Sequence, residues 1–128
     1  MKPRGEVIRT DDAPREIGPY SQALAVGGWV RPSGQIPLDP RTGELVDGGF
    51  AEQAARALDN LDAVLRAAAC CRDHVAKVAA DIIDLNRIAD FNEVYAGYFG
   101  QHRPARAVVG VAALPRGAQV GVEAVAVR

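Results

Sequence analysis

From Phe50 to about Cys70 the apolar residues Ala54, Leu58, Leu61, Leu65 and Ala68 recur at three- and four-residue spacing, while Glu52, Arg56, Asp59, Asn60 and Arg66 take the other faces. The spacing predicts an amphipathic helix, and a helix with one apolar stripe must be covered by another layer of the molecule. Everything else in the chain is constrained by the need to supply that layer.

The flanking segments read as strands. YSQALAVGGWVRPSGQIP predicts two short strands around Gly27-Gly28, a pair that accepts the positive φ of a two-residue hairpin turn. Pro32 lacks an amide donor and marks a sheet edge or an irregular strand end. Asp39 to Glu44, DPRTGE, is a polar turn punctuated by Pro40 and Gly43. Lys77 to Leu85 predicts a strand with Val78, Ala80 and Ile82 on one face and Asp81 on the other. A second helix follows, with Asn86 as its N-cap, a stripe of Ile88, Phe91, Tyr95 and Tyr98, and Gly100 as its stop. Two further strands are expected at about 106–113 and 119–127, joined by LPRGA. Strands, helix, strand, helix, two strands describe an α+β layer with both helices on one face of a sheet. In a single domain spanning 1–128, the uncovered face is expected to be buried against copies of the same chain.

Composition narrows the function. Fifteen Lys and Arg against sixteen Asp and Glu give a net charge of -1, with neither sign gathered into a block, so no electrostatic footprint for nucleic acid is present. MKPRGEVIRTDDAPRE is mixed in charge without an apolar signal core, and no apolar run approaches the roughly 18 residues of a membrane span. A cytoplasmic location with no membrane partner is the expectation. Cys70 and Cys71 are adjacent and with His74 fall within helical reach, but no second ligand pair accompanies them; reduced thiols and no metal are expected. His74 and His102 stand apart from any nucleophile, as surface histidines do. The sequence contains no P-loop, GxGxxG, HExxH or GxSxG.

Two charges sit inside apolar strands: Arg106 in PARAVVGV and Glu123 in QVGVEAVAV. As pattern, each fits a solvated strand end or rim. Together with IGPYSQA (17–23), SGQIP (33–37), ALDNLDAVL, DLNRIADFNEVY (84–95), PAR (104–106) and LPRGAQVGVEAVAV (114–127), however, they resemble the Rid/YjgF family of reactive intermediate imine deaminases. The resemblance runs in order from about Ala13 to the C-terminus.

It implies a chorismate-mutase-like α+β fold and a homotrimer whose sheets line a central barrel, with ligand clefts between subunits. The implied ligand is a small 2-imino or 2-oxo acid. The implied activity is cofactor-free hydrolysis of imino or enamine acids, such as 2-iminopropanoate and 2-iminobutanoate, to 2-oxo acids and ammonia. Arg106 would grip the substrate carboxylate, since its planar fork matches a carboxylate bidentately. Tyr20 matches the family's pocket tyrosine, Ser33 and Gly34 its pocket loop, and Asn92 its helix asparagine.

Two positions depart from the pattern. Val108 replaces a cysteine whose role includes its backbone amide, which Val108 retains. Gly121 stands where the family commonly has a water-holding glutamate. Glu123 shares a strand face with 121 but lies roughly 6.6 Å along the strand, so it positions the water only if its side chain leans back or a bulge shifts the register. The alternatives are a pathway-specific deaminase of aminomuconate or aminoacrylate type, with a cleft widened at Gly121, and a non-catalytic 2-oxo acid-binding regulator.

Overall fold

The computed structural model describes residues 5–128; the first four residues of the mixed-charge N-terminal stretch lie outside the described residues. Among the described residues six strands form one sheet in the order β1-β2-β3-β6-β4-β5. They are β1 (Glu6–Ile8), β2 (Ala23–Val26), β3 (Trp29–Pro32), β4 (Val75–Ile82), β5 (Ala105–Gly110) and β6 (Val120–Val127). Helices α1 (Phe50–Ala67) and α2 (Ile88–Phe99) cover one face. The β4-α2-β5 unit is the sheet's parallel step, and all other pairings are antiparallel. A parallel neighbour demands a crossover, and α2 is that crossover.

The core follows from two periods meeting. Ala54, Leu58, Leu61 and Leu65 of α1 are buried against Val78, Ala80 and Ile82 of β4 and Val122, Ala124 and Ala126 of β6. Each fully buried leucine contributes about 2 kcal/mol of apolar transfer. Small side chains on both inner strands let the helices lie close.

The hairpin between β2 and β3 turns through Gly27-Gly28, and the positive φ falls on Gly27 alone, as the first central position of a type II′ turn requires. Pro32 closes β3, which pairs with β6 only at Trp29 and Val30; pairing resumes at Gln35 with Val122. Arg31 and Pro32 therefore pair with β2 alone, and Ser33 and Gly34 leave the sheet as a loop.

Other boundaries shift from the sequence expectation. α1 ends at Ala67 rather than Cys70 because Ala69 adopts a left-handed conformation (φ 60°) and the Cys70 amide donates to Leu65 O at 2.9 Å, a Schellman closure made without glycine. Asn60 is fully buried, not on an outer face. Its amide donates to Ile36 O at 3.1 Å and Leu38 O at 2.9 Å. Asn86 is not the cap of α2. Asp84 caps the 3₁₀ turn leading into the helix, accepting from the Asn86 amide at 3.0 Å. Phe99 joins Phe91 and Tyr95 as a buried residue of α2, while Ile88 is exposed.

The second face of the sheet carries Val7, Leu24, Val26, Trp29, Val109 and Val127, all substantially exposed; Trp29 is 50% accessible. Among the described residues no helix is long and apolar enough to cross a membrane.

Candidate functional site

Arg106 sits on β5, the edge strand, in register with buried Val78, which directs its side chain to the helix-covered side. There its Nη1 donates to Asn92 Oδ1 at 2.8 Å, and the guanidinium carbon lies 4.8 Å from the ring centre of Tyr95 and 5.9 Å from that of Phe91. The cation thus rests on an aromatic shelf. No carboxylate pairs with Arg106 among the described residues. With five donors on a guanidinium and one used here, the outward part of the fork is available to an anion. Tyr95 is 6% accessible and its hydroxyl has no hydrogen-bond partner among the described residues. Burial raises its pKa, with Arg106 and Arg103 opposing that rise. Val108, the next residue on the same face, packs its side chain against the core, so only its backbone is available to a ligand.

The other expected residues gather elsewhere. Ser33 Oγ donates to Ser21 O at 2.6 Å and its amide to Gln22 O at 2.8 Å, tying the loop after β3 to the segment before β2. The Tyr20 hydroxyl accepts from the Ile17 amide at 3.2 Å. Buried Gln22 anchors this segment: its carboxamide accepts from Thr10 N at 2.7 Å and donates to Thr10 O at 3.0 Å and Pro14 O at 2.9 Å. Tyr20 and Gly34 line a small hollow of about 110 Å³. Gly34 also lines an adjoining hollow of about 230 Å³ with Asp81, Leu114, Pro115, Gly121 and Glu123.

One chain therefore brings Arg106, Asn92 and Val108 together at one place and Tyr20, Ser33, Gly34 and Glu123 at another. Strand parity keeps them apart: Arg106 is on the helix side of the sheet, whereas Gly121 and Glu123, in register with Asp81 and Ala79, are on the open side. Glu123 is exposed there, and nothing in the fold leans it toward Arg106. The sequence reading missed Gln22, whose signal is a lone amide ahead of a strand, and the shelf residue Tyr95, which it assigned only to packing. Cys70 is buried, Cys71 exposed, and His74 Nδ1 accepts from the Cys71 amide at 2.8 Å, so that ring serves as a local cap. His102 is partly buried and donates through Nε2 to Val75 O at 2.7 Å.

The family model described as Endoribonuclease L-PSP matches residues 10–128. The chain belongs to that family, the Rid/YjgF family. Its similarity to relatives is spread over nearly the whole length. It is 48% identical over 123 residues to the mouse (Mus musculus) protein named 2-iminobutanoate/2-iminopropanoate deaminase, covering 96% of this chain and 91% of that one. A RutC family protein of Pyrococcus abyssi is 47% identical over 121 residues, covering 94% and 95%. Among solved structures, a putative endoribonuclease of Thermotoga maritima superposes with a TM-score of 0.94 at 48% identity, covering 100% of this chain and 98% of that one. Escherichia coli TdcF with bound serine gives 0.92 at 40% identity, covering 96% and 98%. The α+β fold expected of a Rid/YjgF chain is the one observed.

Proposed function

We propose that this Rid/YjgF chain hydrolyses small 2-imino acids, with 2-iminopropanoate and 2-iminobutanoate as the reference substrates, to 2-oxo acids and ammonia. The carrying observation is Arg106: a guanidinium without a carboxylate partner among the described residues, fixed by Asn92 and Tyr95. The deaminase name of relatives near 48% identity supports the reaction, and the serine bound to TdcF supports a ligand that bears an α-carboxylate. An imine carbon is already electrophilic, so the protein has only to hold the acid and admit a water. Loss of such imines spares other enzymes from modification.

The two half-sites belong to one cleft when copies assemble, Arg106, Asn92 and the Val108 backbone coming from one and Tyr20, Ser33, Gly34 and Glu123 from its neighbour. The exposed apolar residues of the open sheet face support assembly, and a homotrimer is the form proposed. Neither a cofactor nor a metal enters the reading.

A second reading is favoured by Gly121. No side chain at 121 fills the hollow, which leaves more of it to a substrate, although a Cβ there would already touch Ile36 at 3.6 Å and Leu114 at 3.7 Å, so those side chains bound the gain. Other family members carry endoribonuclease names, but the balanced charge of -1 speaks against a phosphate-backbone partner.

The test follows 2-iminopropanoate, generated by a serine dehydratase and trapped by semicarbazide. Wild-type protein is expected to lower trapped imine, and Arg106→Ala to lose at least about 100-fold of that effect, because a charge-assisted bidentate grip is removed. Wild-type protein that behaves like buffer on this substrate and on larger imines overturns the reading.

A further inference from the structure

Gly121 offers the hollow no side chain, yet the hollow is not without a carboxylate. Asp81 of β4 is the direct cross-strand partner of Gly121 in the antiparallel β4/β6 pair, and both line the same 230 Å³ space with Gly34, Leu114 and Pro115. Directly opposed residues on one sheet face hold their Cβ atoms within about 4.5–5.5 Å. A carboxylate at 81 therefore borders the same hollow beside the glycine, whose own position is walled by Ile36 and Leu114. On its other flank Asp81 faces Val109 of β5.

We propose that Asp81 is a catalytic residue that orients and deprotonates the hydrolytic water. The inference rests on the deaminase reading above. Asp81 is half-buried, and among the described residues it has neither an ion pair nor a side-chain hydrogen bond, so no structural task accounts for it. Glu123 is the competing carboxylate. It lies opposite Ala79 rather than Gly121 and is exposed, and the cation Lys77 stands at its diagonal register position without an ion pair to it. Asp81 has no such cation on β6, where its neighbours on this face are Gly121 and Glu123.

The step balances without any other reagent. Water oxygen adds to C2 of the protonated imine as Asp81 takes the water proton, giving a carbinolamine. Asp81 returns that proton to the amine nitrogen, the C–N bond breaks as the C2 carbonyl forms, and the hydroxyl proton passes to the freed Asp81 carboxylate and on to ammonia, which leaves as ammonium. Arg106 from the neighbouring copy holds the carboxylate throughout.

The experiment compares wild type, Asp81→Asn, Glu123→Gln and the double variant Asp81→Asn with Gly121→Glu, with Arg106→Ala as the reference for lost binding. Asp81→Asn is nearly isosteric and is expected to lower kcat about 100-fold with KM changed less than about threefold, since a lost general base leaves binding in place. Restoring a carboxylate from the opposite strand in the double variant is expected to bring kcat back to within about tenfold of wild type, which a purely structural role for Asp81 does not predict. Asp81→Asn that retains wild-type kcat, Glu123→Gln that removes the rate in its place, or a folded double variant with no recovery each overturns the proposal while leaving the deaminase reading intact. Inactive wild-type protein removes both.

Discussion

Asn60 shows how one uncharged side chain ties two layers together. Its amide nitrogen donates to the carbonyls of Ile36 and Leu38, and its oxygen accepts from Arg56 Nε at 3.0 Å. The segment just after the Ser33 and Gly34 loop is thereby fastened to α1. Asn60→Ala leaves the buried Leu38 carbonyl without a donor and Ile36 O with the Leu38 amide alone, and is expected to cost about 1–3 kcal/mol, read as a lower urea midpoint. A loss under 0.5 kcal/mol would mean water replaces the amide. The sequence places Asn60 among polar residues on the helix's outer faces, because periodicity reports polarity and not a partner more than twenty residues away. Arg106, Tyr20, Ser33, Gly34 and Asn92 are legible through their motifs. Asp81 is legible only as a polar residue on the far face of a strand; its pairing with Gly121 exists only once register is known.

Between elements, the α1/α2 joint is organised by Asp62. Tyr98 donates to Asp62 Oδ1 at 2.9 Å, Arg66 Nε meets Oδ2 at 2.8 Å, and the Arg72 guanidinium lies over the Tyr98 ring at 4.3 Å. Burial, then the charge of Asp62, pushes the Tyr98 pKa far above its ordinary value of about 10, and burial raises Tyr95 as well. A pKa higher in the folded than in the unfolded chain contributes stability that is complete below about pH 10 and is lost as pH rises through the folded value. The urea midpoint should fall between pH 9 and 11, and less steeply in Tyr98→Phe; equal slopes would place the alkaline transition elsewhere. At this scale the helices and the long strands follow from apolar period, but β1, three residues long, carries too few alternations to be read. The end of α1 is hidden because Ala69 takes the left-handed conformation that glycine usually marks.

For the molecule as a whole, the layer order and the apolar second face were readable, since two-residue parity assigns every strand side chain to one face or the other. The division of the site was not, because parity says nothing about which copy meets which. If each cleft draws Arg106 from one copy and Asp81 from the next, then Arg106→Ala and Asp81→Asn chains, each inactive alone, should regain activity when unfolded together and refolded. About a quarter of the interfaces in a random mixture join two unmodified halves. Recovery no greater than the sum of the separate variants would place both residues in one copy's cleft. The placement of Arg106 and Gly121 on opposite faces of one sheet then carries a further meaning: no hinge or loop movement within a chain brings them together, so turnover depends on the company a chain keeps. Dilution would then be an off state, and a chain damaged on both faces would silence the two clefts it shares while its neighbours keep the one between them.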